Sequence, residues 1–352
     1  MSAIGAERSR PPLVVVGASA GGVEALRDLV SRLPVGLPAC VLVVLHVPAD
    51  SPTALPAILA RVSAVPVRAA DDGAPLRAGE VVVARPDHHL VVADGRVMLT
   101  RGPKENGHRP AVDVLFRSAA REGGRDVLAV VLSGALDDGA AGAVAVAARG
   151  GRIAVQDFDE ALYDSMPRSA ARTVPGALRL PAAQLAALAG DWAGAVPRAD
   201  GTAAVTEVTH LEKETAMAAM DPGAMHDHER PGRPSGFGCP DCAGALFEIE
   251  EGSLVRFRCR VGHAWSADSL LARQVVDLEG ALWMALRSLE ERAALNSDLG
   301  ARAGRLGHDR TAARFGENAA EATGAAELVR QLINEIGGTT GVDEIGSPSL
   351  HE

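Results

Sequence analysis

The chain has 352 residues, 47% of them hydrophobic, 3% aromatic and 23% charged, and a formal net charge of -10. That length holds one sizeable core and one or two small modules, and an acidic balance with no basic stripe excludes a nucleic-acid surface. No run is long and apolar enough to be membrane-embedded, no signal-peptide pattern opens the sequence, and four cysteines, three of them in one short stretch, fit a reducing, cytoplasmic setting.

Residues 1–12 read as a loose leader. From Leu13 to about Gly190, β-rich runs alternate with helix-period segments. The runs are Leu13–Val16, Cys40–Leu45, Glu80–Ala84, His89–Ala93, Val127–Leu132 and Ile153–Gln156. The helical candidates are Val23–Leu33, Pro52–Val62, Val112–Arg121 and Ala140–Ala148. Near-continuous apolar strands between helices predict an α/β fold, a doubly wound, mostly parallel sheet with helices on both faces. The stretch Val81–Met98 reads instead as an antiparallel excursion, because Asp94-Gly95 marks a hairpin turn between apolar runs.

Three polar residues fall where strands of such a sheet end. Ser19 follows the first strand in Gly17-Ala-Ser-Ala-Gly21, a G-x-S-x-G spacing that turns a strand into a helix and exposes a hydroxyl. Backbone N–H groups at the following helix start can then meet developing negative charge. A serine before a helix is also an ordinary N-cap. His46 ends the second strand, where a hydrogen-bonded structural histidine is the plain alternative. Asp137 and Asp138 follow a later strand, where an Asp-Asp-Gly is commonly a turn. The C-terminal edges of a doubly wound sheet form one crevice, so these residues can converge there. Serine, histidine and a carboxylate suit acyl transfer. Their order differs from the Ser, Asp, His order of an α/β-hydrolase.

Composition changes near Trp192, and 193–235 reads as a linker with a short helix around Thr209–Met220. A compact module follows at 236–265. Its Cys239-Pro-Asp-Cys242 and Cys259-Arg-Val-Gly-His263 flank two hairpin-like runs, Ala245–Ile249 and Leu254–Arg258. Cys239, Cys242, Cys259 and His263 supply four N/S ligands and no spare carboxylate, which suits a closed structural zinc site in a zinc-ribbon-like module. So small a hairpin draws much of its folding energy from metal. A redox C-x-x-C lacks its βαβ context here. Cys40 opens an apolar strand as a core residue, and His226 and His228 read as solvated. His88, His89 and His108 receive no role. A helical hairpin spans 266–337, with Leu271, Val275, Leu278, Leu282, Leu286 and Leu289 forming one apolar stripe, read as packing between the two helices. Residues 338–352 read as a disordered tail.

Residues 13–185 resemble the catalytic domain of the chemotaxis protein-glutamate methylesterase (CheB) family. The resemblance rests on Val16-Gly-Ala-Ser-Ala-Gly-Gly22, Leu45-His-Val-Pro48, Arg109-Pro-Ala-Val-Asp-Val-Leu-Phe116, Leu132-Ser-Gly-Ala-Leu-Asp-Asp-Gly-Ala140 and Ser165-Met-Pro-Arg168. It places the family's catalytic serine, histidine and aspartate on Ser19, His46 and Asp138, and so chooses Asp138 over Asp137. It implies hydrolysis of γ-methyl glutamyl esters on chemoreceptor-type signalling proteins, with glutamine deamidation as a second activity and no cofactor for catalysis. Ala20, Leu45 and Ala135 depart from the family's threonine, glutamine and methionine, which puts rate and substrate preference in question. A first strand at Leu13 leaves no room for the family's N-terminal receiver domain, so control by phosphorylation on the same chain is not expected. Two other readings stay open: a catalytically weak signalling scaffold, and a related esterase outside chemotaxis. The ribbon and helices are expected to dock a partner, regulate access or form a homodimer.

Overall fold

The computed structural model describes residues 10–196, 209–226, 232–251 and 254–339. The expected leader and tail, and much of the expected linker with His228, lie outside the described residues. By its internal contacts the chain forms two units, Met1–Leu270 and Leu271–Glu352.

The first unit runs β1 (Leu13–Ala18), α1 (Gly22–Ser31), β2 (Cys40–Leu45), α2 (Leu55–Ala60), β3 (Val67–Ala69) and β4 (Glu80–Val83). The hairpin β5 (His89–Ala93) and β6 (Arg96–Thr100) follows, then α3 (Val112–Gly123), β7 (Val127–Val131) and α4 (Ala140–Ala148). The run ends with β8 (Arg152–Gln156), α5 (Ser165–Thr173), β9 (Leu178–Leu180) and α6 (Ala182–Ala195). Seven strands form one parallel sheet in the order β3-β4-β2-β1-β7-β8-β9.

Both faces are covered, which is why β1, β2 and β7 are aliphatic at nearly every position. Leu13 and Val15 enter one core with Leu115 and Phe116 of α3 and Val146 of α4. Val14 and Val16 enter the other with Leu26 and Leu29 of α1 and Leu185 and Trp192 of α6. The chain leaves β1 first toward β2 and later toward β7, so the strand order reverses beside β1. A crevice opens at the carboxyl ends there.

Two expectations change. Glu80–Val83 belongs to the parallel sheet, paired with β2 and β3, and only β5 and β6 form the antiparallel excursion around Asp94-Gly95. The alternation of that stretch did not separate a sheet strand from the hairpin beside it. The helix expected in the linker, α7 (Thr209–Ala218), is no linker element, since Leu211, Glu214, Thr215 and Met217 are buried.

After α8 (Pro222–His226) the ribbon forms a four-stranded sheet: β10 (Arg233–Gly238), β11 (Ala245–Glu251), β12 (Leu254–Cys259) and β13 (Ala264–Ser266). The two hairpin-like runs pair antiparallel as β11 and β12. α9 (Ala267–Arg305) then begins, with the Ser266 hydroxyl accepting the Ser269 N–H as its N-cap. In the second unit α9 pairs with α10 (Asp309–Thr339) through Leu282, Leu286 and Leu289 against Ala326, Val329 and Ile333. The expected stripe is only partly used there, because Leu271 and Leu278 are exposed. Among the described residues no helix is long and apolar enough to cross a membrane.

Candidate active site

Ser19 leaves β1 and enters a turn pinned to the exit of β7. Its N–H donates to the Ser133 carbonyl at 2.9 Å, and the Ser133 hydroxyl donates to the Ala20 carbonyl at 2.7 Å. Gly21 takes the left-handed backbone (φ 68) that opens α1, and no side chain caps that helix. Ser19 is therefore not an N-cap. Its hydroxyl lies 3.1 Å from His46 Nδ1, and His46 Nε2 lies 2.7 Å from Asp138 Oδ2. The three side chains expected to meet at the sheet's edge form one hydrogen-bonded chain. At the start of α1 the Gly22 N–H turns back to the Ser19 carbonyl at 2.9 Å.

Asp138 is held by the start of α3. Val112 N–H donates to its Oδ2 at 2.7 Å and Asp113 N–H to its Oδ1 at 3.1 Å, where α3 has no side-chain cap of its own. Asp113 returns the favour to α4, accepting from Gly139 and Gly142 N–H at 3.0 and 2.6 Å. Each helix start, with its unpaired N–H groups and positive dipole end, is thus closed by an aspartate from the other helix's entry. Glycine makes this approach feasible, because a Cβ at Gly17 or Gly139 would collide with the Val112 side chain.

Burial works against both carboxylates, and they resolve it in opposite directions. For Asp138 the hydrogen bonds from His46 and the Val112 N–H are among the interactions that outweigh burial and hold the carboxyl well below its usual range. For Asp113 burial dominates and the neighbouring Asp138 charge adds to it, so its carboxyl is raised well above that range. The negative charge rests on Asp138. An ionised Asp138 requires the proton on His46 Nε2, which leaves Nδ1 as the acceptor for the Ser19 hydroxyl. This is the arrangement of a general base with its tautomer fixed.

The site opens into a cleft of about 380 Å³ lined by Ser19, His46, Pro48, Lys104 and His108. His108, to which sequence reading gave no role, stacks on His46 with ring centroids 3.7 Å apart and planes 9° apart. Burial first, then the adjacent His46, push it down to about 4, so near neutrality it is an uncharged platform. His89 is wholly buried, bonded to the Pro103 carbonyl and the Ala111 N–H, and lines nothing.

A family model for the CheB methylesterase matches residues 14–188. The crystal structure of the Thermotoga maritima CheB methylesterase catalytic domain superposes with a TM-score of 0.50 at 31% identity, covering 51% of this chain and 98% of that one. The chain belongs to the CheB methylesterase family. A protein-glutamate methylesterase/protein-glutamine glutaminase of Myxococcus xanthus is 44% identical over 161 residues, 45% of this chain and 46% of the relative. Another, from Symbiobacterium thermophilum, is 41% identical over 157 residues, 44% and 43% of the two. The chain thus spans about half the length of the curated relatives it matches. The CheB match ends before the ribbon begins.

Beyond the CheB region, the structure brings Cys239, Cys242, Cys259 and His263 together, their ligand atoms all within 4.8 Å of one another. They stand on two similar turns. Ala243 N–H returns to the Cys239 carbonyl and Gly262 N–H to the Cys259 carbonyl, with Ala243 and Gly262 in left-handed backbone. Cys259 Sγ lies 3.6 Å from Cys242 Sγ and 3.6 Å from His263 Nδ1. Ligands about 2.3 Å from a tetrahedral zinc stand about 3.7 Å apart. All three thiols are free, as a closed zinc site requires. The donor set fits zinc. Cys40, the remaining cysteine, is fully buried, and burial pushes its thiol up to about 12, as an inert core residue requires.

Proposed function

We propose that the chain is a serine carboxyl-ester hydrolase that removes γ-methyl groups from glutamyl esters on chemoreceptor-type signalling proteins of the cytoplasm, with glutamine deamidation as a second activity of the same site. The observation that carries this is the unbroken Ser19–His46–Asp138 hydrogen-bond chain opening into the cleft. The names of its CheB relatives support the substrate class.

In this mechanism the Ser19 oxygen adds to the ester carbonyl while its proton passes to His46 Nδ1. The carbon–methoxy bond then breaks, and His46 returns the proton to the departing oxygen, releasing methanol. Water, deprotonated by the same nitrogen, attacks the acyl-enzyme and frees the glutamate and Ser19. Asp138 holds the imidazole and stabilises its positive charge throughout. For deamidation the leaving group is ammonia and the steps are the same. An assembled base with its carboxylate held ionised counts against a catalytically weak scaffold. Cys239, Cys242, Cys259 and His263 would hold a structural zinc that takes no part in these steps. Leu271, Leu278 and Trp283, exposed on α9, support a homodimer through the C-terminal helices.

The test is methanol release from methylated receptor membranes. Wild type releases methanol, and Ser19→Ala loses at least about 10⁴-fold of the rate with its fold intact. A folded Ser19→Ala protein that keeps its activity, or a wild type without any, would overturn the proposal.

A further inference from the structure

Two members of the triad are touched by one loop, 104–109, between β6 and α3. His108 stacks on His46. Asn106, with a left-handed backbone (φ 52), is buried and donates through Nδ2 to Asp138 Oδ1 at 3.1 Å and to Asp113 Oδ2 at 3.2 Å. It is the bridge that lets two carboxylates share one buried space.

That loop is gripped by the ribbon. Asn106 N–H donates to the Ala264 carbonyl at 2.8 Å, and Ala264 N–H donates to the Lys104 carbonyl at 3.2 Å, so residues 104–106 lie along β13 like a further parallel strand. The other end of the Asn106 amide, Oδ1, accepts the Ser266 N–H at 2.8 Å. The Ser266 and Ser269 hydroxyls donate to Asp137, the residue before Asp138, at 2.6 and 3.1 Å. Below the loop, Glu105 is buried between Arg117 of α3 and Arg258 of β12. Arg258 also donates to the Gly262 carbonyl, inside the turn that carries Cys259 and His263. Ala264 and Ser266 stand one and three residues after the ligand His263.

We propose that the ribbon is a positioning clamp for the triad: through Ala264 and Ser266 it fixes Asn106, Asn106 fixes the Asp138 carboxylate, and metal loading at Cys239, Cys242, Cys259 and His263 thereby controls the reactivity of Ser19. This rests on the hydrolase reading above. Asn106 is a positioning residue and touches no substrate. With the ribbon loosened, Asp138 keeps the α3 N–H groups but loses the amide that separates it from Asp113. It then shifts away from His46 Nε2. Partners that orient metal ligands are worth about 10- to 100-fold when removed, and a loss of that size is expected for an amide that orients the Asp138 carboxylate.

The experiment uses the full chain in three states: zinc-loaded, stripped by a chelator under reducing conditions, and reloaded. Wild type is compared with Asn106→Gly, which keeps the left-handed backbone. Three quantities are read: the rate of Ser19 labelling by a fluorophosphonate, the low-field proton signal of His46 Nε2–H, and zinc content. Stripping slows wild-type labelling 10- to 100-fold and moves the low-field signal, and reloading restores both. Loaded Asn106→Gly shows the same loss with about one zinc still bound, and stripping it adds nothing. Equal labelling with and without zinc, or an equal further loss on stripping Asn106→Gly, overturns the clamp. So does an Asn106→Gly protein with the wild-type low-field signal, and this decides the matter even if the stripped chain loses its sheet. If loaded wild type is not labelled while the low-field signal responds as stated, the clamp stands and the hydrolase reading falls.

Discussion

Every residue of β1 and β2 is buried, and apart from one glycine and Cys40 they bury only aliphatic side chains or alanine, whereas β12 of the ribbon buries Arg256 and Arg258 beside Phe257 and Cys259. The parallel sheet is stabilised by area removed from water on two faces, a non-directional force that tolerates substitutions of similar volume. The ribbon has a small apolar cluster, Leu246, Phe257, Trp265 and Leu270, and relies on directed groups. One set is the Cys/His cluster. The other is a buried ion-pair group in which Arg117, Arg256 and Arg258 meet Glu105 and Glu214. Directed groups fix geometry closely and fail abruptly when a partner is lost. That is the appropriate material for an element that has to place Asn106.

The largest way to break this contrast is to strip the zinc proposed for the Cys/His cluster. A structural zinc site is worth about 10 kcal/mol to a small module, so the stripped chain becomes open to protease between residues 233 and 266 while the seven-stranded sheet stays resistant. Limited proteolysis with mass mapping reads this, and a stripped ribbon as resistant as a loaded one would mean that its apolar cluster suffices.

Next is Glu214→Ala. Its carboxylate is buried and, although burial opposes it, held low by Arg256, Arg258 and Arg117. Removing it takes a buried carboxylate away from three buried guanidinium groups and costs about 3–5 kcal/mol, measured by denaturant unfolding. A cost under about 1 kcal/mol would show the network to be as forgiving as a surface pair.

The smallest effect sharpens the contrast at neighbouring residues. Burial raises Asp137 from 3.8 to about 6, with the Ser266 hydroxyl opposing. The folded state therefore holds this proton more tightly than the unfolded one. Its contribution is complete below pH 4 and declines as pH rises through 6, by about 2–3 kcal/mol. Asp138, held low, contributes in the opposite sense: its share is present above pH 4 and lost on acidification. Denaturant midpoints at pH 5 and 7 read the difference, and Asp137→Asn removes the decline. An unchanged slope in that variant would place the titration elsewhere.

The sheet and the three polar residues at its edge were legible because aliphatic runs and Gly-flanked strand ends are local patterns. β3 and β9, three residues each, were too short to carry a pattern. The helix of α7 was legible, but its burial escaped for another reason. Thr209–Ala218 shows a weak apolar face and buries Glu214 in ion pairs, and hydropathy cannot register a charge that is buried because its partners come from elsewhere in the chain. Asn106 and His108 lie in a loop whose form is set by β13, some 160 residues away in sequence. The uncapped start of α3 at Ala111 called for an acceptor from another segment, which is Asp138, and nothing local pointed to Asn106 or His108.

The missing side chain at Gly17 has a consequence for how such sequences can drift. A methyl group added there would occupy the space of the Val112 isopropyl group, and Val112 carries one of the N–H groups that hold Asp138. Residues 17 and 112 therefore share a fixed volume, and a related chain that enlarges the first is expected to shrink the second.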